Sequence, residues 1–162
     1  MGVGKSTVGK KLARELGYGF IDLDNLFETK FKIRIDDFFE KYDEDLFRTL
    51  EHEVLNETFS MNKVVIATGG GTPCFFETME KINENGISVH LEMPPAAIAK
   101  RLQHAKKPRP LIKNKTGEEL CAIIKQKLEE RKAFYEQAHY RVNAINLEVR
   151  EVVKLLKANS KF

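Results

Sequence analysis

Met1-Gly2-Val3-Gly4-Lys5-Ser6-Thr7 opens the chain, and its Gly-Lys-Ser is the closing half of the phosphate-binding pattern Gly-x-x-x-x-Gly-Lys-Ser/Thr. In that pattern backbone N–H groups wrap phosphate oxygens, the Lys neutralises the outer phosphates, and the hydroxyl holds Mg2+. The residues that follow decide whether the match is chance. Val8, Leu12, Ala13 and Leu16 recur at helical spacing, with Lys10, Lys11, Arg14 and Glu15 on the other side, so an amphipathic helix begins where the loop requires one. Its unpaired N–H groups and the positive end of its dipole favour an anion. Gly2, Gly4, Lys5, Ser6 and Thr7 are therefore candidates for holding a nucleotide triphosphate. The first loop glycine and the strand that launches such a loop would fall ahead of Met1, so the natural start is expected upstream and this sequence is expected to begin at an internal Met.

Working outward, Phe20-Ile21-Asp22-Leu23-Asp24 reads as a short strand ending in two carboxylates. Residues 63–68 read as a buried strand running into Gly69-Gly70-Gly71. Residues 87–91 and 140–144 are weaker strands, each after a helical stretch. Helices are expected over 45–59, 95–105, 118–137 and 148–157. Strands alternating with helices predict an α/β fold with a parallel sheet flanked by helices, and ligands in such folds gather at the carboxyl ends of the strands. The Asp pair and the glycine triplet both lie there. Lys106-Lys107-Pro108-Arg109-Pro110 breaks the helical pattern with two prolines in a basic run and reads as a loop.

The chain has 162 residues, which fits one domain over 1–162. Its formal net charge of +3 is too small to imply nucleic acid, and no apolar run is long enough to span a bilayer. Cys74 and Cys121 are its two cysteines, too few for a disulfide framework or a metal cluster, and the expected place is the cytoplasm. His52, His90, His104 and His139 are scattered without ligand spacing.

Phosphoryl transfer needs phosphate donors, a divalent cation, a means of orienting the acceptor, and positive charge for the transition state. Lys5 and the loop amides suit the phosphates, and Ser6 with Asp22 offers oxygen to Mg2+. Asp24, two residues on along the expected strand, would leave the same face and reach an acceptor hydroxyl. The pair could also be a solvated strand end or a helix N-cap. Three consecutive glycines permit close backbone approach to a ligand. Arg48 precedes Glu51 by three residues and could be held by an intrahelical ion pair while pointing into a cleft. Arg131 sits on a charged helix among residues that face water. Arg109, between two prolines, suits a closing lid that supplies a phosphate-directed guanidinium. Phe38, Phe39 and Phe47 fit either a core or the wall of a small-ring pocket.

Taken in order, Gly4-Lys5-Ser6-Thr7, Phe20-Ile21-Asp22-Leu23-Asp24, Phe47-Arg48-x-x-Glu51, Thr68-Gly69-Gly70-Gly71, Arg109-Pro110-Leu111-Ile112 and Arg131-x-x-x-Tyr135 resemble the shikimate kinase family over nearly the whole chain. The resemblance implies a three-layer P-loop fold, with a substrate region at about 24–60 and a lid at about 104–117. It implies phosphorylation of the 3-hydroxyl of shikimate by ATP with Mg2+, on the way to chorismate and aromatic amino acids. By position, Lys5, Asp24 and Arg109 would be catalytic. Gly2, Gly4, Lys5, Ser6, Thr7, Arg101 and Arg109 would bind ATP, and Ser6 and Asp22 would organise the metal. Asp24, Arg48, Gly69, Gly70, Gly71 and Arg131 would bind shikimate, the two arginines taking its carboxylate, with Phe39 and Phe47 lining the pocket. Partners are then small molecules alone, with no nucleic acid and no membrane, and a monomer is expected. Asp43 stands where many relatives have Gly, and Asn143 where Asp is usual. In that fold the strand missing ahead of the loop is central to the sheet. Two other readings stand beside this one: a nucleotide-binding remnant without turnover, and a P-loop kinase for another small sugar acid.

Overall fold

The structure is a computed structural model that describes residues 2–103 and 117–158. Helix α1, Lys5–Leu16, starts at Gly4, whose φ of 97° is left-handed and so suits a residue without Cβ. It packs tightly on strand β1, Gly19–Asp22. A Cβ placed on Gly9 would lie 2.7 Å from the Phe20 ring, so only glycine allows this approach of helix to strand.

The expected strand over 20–24 is shorter than the sequence suggested. β1 ends at Asp22, and α2, Leu23–Phe31, begins at once, with the Asp22 carboxylate accepting from the Asn25 N–H at 3.5 Å. Asp22 is thus an N-cap, and Asp24 lies in the first helical turn instead of on the strand face proposed for it. The next helix, α3, Ile35–Lys41, was not foreseen. Its first N–H donates to Glu28 at 2.9 Å, and Asp36 and Asp37 sit in its first turn, where the dipole favours them. Helix α4, Glu44–Thr58, is capped by Asp43, which accepts from the Leu46 N–H at 2.8 Å. That capping bond is what the Asp at this position provides.

Strand β2, Val64–Ala67, pairs in parallel with β1 in the register Gly19 to Val64 through Asp22 to Ala67. A 3-10 turn at Thr72–Cys74 leads to α5, Thr78–Asn85. Strand β3, Val89–Glu92, pairs in parallel with β4, Tyr140–Asn143. Between them come α6, Pro95–Gln103, and α7, Gly117–Tyr135, and α8, Val149–Lys157, follows β4. Among the described residues the strands form two two-stranded parallel sheets. The residues of β2 and β3 line a shared cavity of about 740 Å3, together with Leu12 of α1 and Leu156 of α8. This corrects the expectation of a fully buried strand at 63–68: Val64, Val65 and Ile66 are half-buried because that cavity is beside them.

Three apolar clusters hold the layers. Leu12 of α1 joins Val152 and Leu156 of α8, and Val3 joins Ile98, Ala99, Leu120 and Ile124 of α6 and α7. Leu23, Phe27, Phe38, Phe47, Val54 and Leu55 fix α2, α3 and α4 to one another. Phe27 meets Phe38 edge-on with ring centres 5.4 Å apart, and Phe47 at 4.9 Å. Each such pair adds about 0.5–1.5 kcal/mol beyond its buried area. The region that carries Asp24 and Arg48 is therefore a packed unit.

At the beginnings of β3 and β4, Ser88 accepts from the His139 N–H at 2.9 Å, and its own hydroxyl reaches His139 Nδ1 at 3.0 Å and Asn83 Oδ1 at 2.5 Å. Asn83 donates on to the Gln137 carbonyl at 2.8 Å. This network ties the two turns that feed the strands. The phosphate loop and the glycine triplet lie elsewhere, at the strands' carboxyl side. Among the described residues no helix is long and apolar enough to cross a membrane.

Candidate active site

The end of β1 and the start of α1 meet at the phosphate loop. The Ser6 hydroxyl donates to Asp22 Oδ2 at 2.5 Å, so the two hard oxygens foreseen as metal ligands are in contact, although Asp22 also caps α2. The Arg101 guanidinium of α6 donates to the Val3 carbonyl at 3.1 Å and comes within 3.6 Å of where a Gly4 Cβ would be. It braces the loop at Val3.

The glycine triplet is where the second group of predicted residues converges. A Cβ on Gly69 would stand 2.8 Å from Glu51 Oε1, 2.9 Å from Thr72 Oγ1 and 3.4 Å from Asp24 Oδ1. A Cβ on Gly71 would be 2.6 Å from Arg48 Nη2. A side chain at either position would have to displace functional groups of α4 or, at Gly69, the Thr72 hydroxyl. The triplet serves close approach here, since none of its residues has a left-handed φ. Asp24 and Arg48, 24 residues apart in sequence, are brought to one turn of backbone.

Arg48 is held from several sides. Its Nη1 donates to Glu51 Oε2 at 2.7 Å, and its Nε and Nη2 donate to Glu44 Oε1 at 3.2 and 2.9 Å. The side chain is 11% exposed. Burial would lower its pKa, but the Glu51 and Glu44 carboxylates outweigh that and hold it above the usual arginine value. Glu51 is itself buried and also accepts the Thr72 hydroxyl at 2.7 Å. The ion pair expected from the spacing forms, and it is extended by Glu44 and Thr72, which the sequence reading did not name. A polar residue following the triplet was the available signal for Thr72.

From the other side comes α7. Arg131 and Tyr135, four residues apart, share a face. Tyr135 donates to the Gly70 carbonyl at 2.6 Å and stacks on His90 with ring centres 4.6 Å apart. Burial raises the Tyr135 pKa, against Arg131, whose charge and hydrogen bond oppose the rise. Burial also raises the Cys74 thiol, opposed by the charges of Arg131 and Arg48 together. Both charges thus bear on the Cys74 thiol. Tyr135 stood in the Arg131-x-x-x-Tyr135 motif without a role; the structure gives it one, tying α7 to the glycine triplet.

His90 links this cluster to the phosphate loop. Burial, then the charges of Arg141 and Lys5, hold its pKa below the usual histidine range against the opposing pull of Glu92. The cavity beside β2 reaches Lys5, Gly69, Gly70 and Tyr135 as well. Lys5, Gly69, Gly70 and Tyr135 thus border one space.

Of the two pocket phenylalanines, Phe47 is a core residue, 4% exposed and packed on Phe27, with Arg48 against its ring at 5.1 Å. Phe39 is 44% exposed, its ring 4.7 Å from that of Phe47. Arg109 and the lid expected over 104–117 lie outside the described residues, apart from Gly117.

The family model for shikimate kinase matches residues 1–159. The chain belongs to the shikimate kinase family. It is 45% identical over 148 residues to a shikimate kinase of Phocaeicola vulgatus, covering 91% of this chain and 85% of the relative. The crystal structure of a shikimate kinase from Bacteroides thetaiotaomicron superposes with a TM-score of 0.93 at 41% identity, covering 97% of this chain and 94% of that one. A shikimate kinase from Acinetobacter baumannii, solved in complex with shikimate, superposes at 0.86 with 35% identity, covering 99% of this chain and 90% of that one. The α/β arrangement of parallel strands flanked by helices is the fold of these shikimate kinases.

Proposed function

We propose that this shikimate kinase family member transfers the γ-phosphoryl group of ATP to the 3-hydroxyl of shikimate, giving ADP and shikimate 3-phosphate for chorismate and aromatic amino acid synthesis. The observation that carries the pocket assignment is the meeting of Asp24, Arg48 and the Gly69 and Gly71 backbone, with the Arg131 helix tied to the same turn through the Tyr135 bond to the Gly70 carbonyl. A carboxylated ring with hydroxyls needs two kinds of partner, cations for the acid and a carboxylate for a hydroxyl, and this turn gathers both.

In this reading the amides after Gly2 and Gly4 and the Thr7 end of the loop cradle the triphosphate, and Lys5 neutralises its outer oxygens. Arg101 bears on the adenine side. Arg48 and Arg131 hold the shikimate carboxylate, Gly69 to Gly71 let the ring approach the backbone, and Phe39 closes the rim over Phe47. Asp24 orients the acceptor hydroxyl and takes its proton. Arg109 adds positive charge for the transition state, a role it takes from the family resemblance. Ser6 and Asp22, two hard oxygens in contact at the lip of the loop, fit Mg2+, which when bound offsets phosphate charge. Positioning and charge carry catalysis here, with no covalent enzyme intermediate.

Residues 1–162 are read as one unit with a substrate region over about 24–60. A monomer in the cytoplasm, drawing on the ATP there, is part of the same reading. The test is ADP release in a coupled assay with magnesium, with shikimate, gluconate or no acceptor. Release that requires shikimate and magnesium is expected. Equal release with gluconate overturns the pocket assignment, and nucleotide binding without release overturns turnover.

A further inference from the structure

The residues after the 3-10 turn have no role in the reading above. Phe75 is 36% and Phe76 50% exposed, large apolar groups in water beside a charged site. Phe76 and Glu77 both have left-handed backbones, at φ 53° and 55°. A non-glycine residue in that region is strained, more so a bulky aromatic one, and such strain persists only where surrounding structure enforces it. The strained pair sets two rings down on α4 one turn apart. Phe76 lies on His52 at 5.3 Å, and the Phe75 ring centre is 4.8 Å from Arg48 Cζ.

The Phe75 contact bears on what Arg48 can do. Among the described residues, three of its five N–H groups go to Glu44 and Glu51, which leaves one on each terminal nitrogen, the arrangement that meets a carboxylate bidentately. Arg48 Cζ lies over the Phe75 ring, and the π-face attracts the cation without using an N–H. The ring also takes the place of water beside a guanidinium that is 11% exposed, and a charge-assisted bond there strengthens as the local dielectric falls.

We propose that Phe75 is a positioning residue for acid recognition, its ring face holding the Arg48 guanidinium so that the remaining N–H groups are fixed and shielded from water for the shikimate carboxylate. This rests on the pocket assignment proposed above. The test measures kcat, the shikimate KM, the ATP KM and thermal melting for Phe75→Ala, Phe75→Leu and Phe75→Tyr, each with Arg48 intact and in an Arg48→Ala background. With Arg48 intact, Phe75→Ala raises the shikimate KM about fivefold, the size of a partly desolvated cation–π contact, and leaves the ATP KM unchanged. Phe75→Leu, which restores bulk without a π-face, behaves like Ala, and Phe75→Tyr behaves like the parent. In the Arg48→Ala background the three substitutions have no further effect. A Leu variant with the parent's KM, or a Phe75→Ala penalty that persists without Arg48, overturns the inference. If Arg48→Ala raises the shikimate KM and Phe75→Ala does not, the inference alone fails. If Arg48→Ala leaves the shikimate KM unchanged, the pocket assignment fails and takes the inference with it.

Discussion

Glu51→Gln removes one charge from the site and keeps the shape. In the parent, Glu51 Oε2 accepts from Arg48 at 2.7 Å and Oε1 from Thr72 at 2.7 Å, with the carboxylate buried. Deleting one partner of a buried pair costs about 3–5 kcal/mol, because the other charge is left uncompensated. Two features reduce the loss here. The amide oxygen of Gln still accepts one of the two bonds, and Glu44, 58% exposed, still faces Arg48. A hydrogen bond to a charged group is worth about 1.5–3 kcal/mol, so the expected loss of stability is about 2–3 kcal/mol, or about 5–10 °C in melting temperature for a domain of this length. The same change frees the guanidinium to follow Glu44 toward solvent, and the shikimate KM should rise about tenfold, equivalent to about 1.4 kcal/mol. The ATP KM should change far less, because the hydrogen bonds of Glu51 run to Arg48 and Thr72. Urea unfolding at pH 7, thermal melting and steady-state kinetics with each substrate varied in turn make the measurement. A variant that melts within about 1 °C of the parent and keeps its shikimate KM would show that Glu51 neither supports the fold nor aims Arg48.

Gly71→Ala places a methyl group 2.6 Å from Arg48 Nη2. The guanidinium must move, so a higher shikimate KM at unchanged ATP KM is expected in the same kinetic assay, and no change would mean that the turn yields freely. Ser6→Ala and Asp22→Asn each remove one of the two oxygens at the loop. Both should raise the magnesium concentration needed for half-maximal rate, read by titrating magnesium at fixed ATP. Acid should destabilise the fold through His90 and His52, whose pKa values burial lowers, assisted by Arg141 and Lys5 for the first and Lys81 for the second. For a histidine lowered in the folded state, the unfolded chain binds more protons, so stability is complete above the unfolded pKa of about 6.5 and falls as pH drops through it toward the folded values. Melting at pH 7.5 and 5.5 should show a smaller drop for the double variant His52→Gln, His90→Gln than for the parent, and equal drops would refute this account.

Helix positions were legible wherever apolar residues recur at helical spacing beside a charged face, as in α1, α4 and α8. The phosphate loop and the glycine triplet were legible because their chemistry requires particular residues at fixed spacing. The Phe20 to Asp24 segment misled because Asp22 can end a strand and cap a helix at once, and an alternating pattern of five residues does not separate these. Helix α3 was hidden because Ile35 to Lys41 is too short to show a sustained period, and its one buried residue, Phe38, is held by Phe27 and Phe47 on other helices. Glu51 could be paired with Arg48 from the sequence, since three residues on a helix fix their separation. Thr72, Tyr135 and Phe75 could not be placed, because their partners are set by how α4, α7 and the glycine turn come together.

The polar knot of Asn83, Ser88, Gln137 and His139 joins the points where two strands begin, while reagents are handled where other strands finish. Rigidity and reactivity are therefore governed from separate places in this molecule. Substitutions that loosen the knot would lower the temperature at which the protein survives while leaving turnover per folded molecule intact, which makes that corner the one to redesign when a hardier catalyst with the same selectivity is wanted.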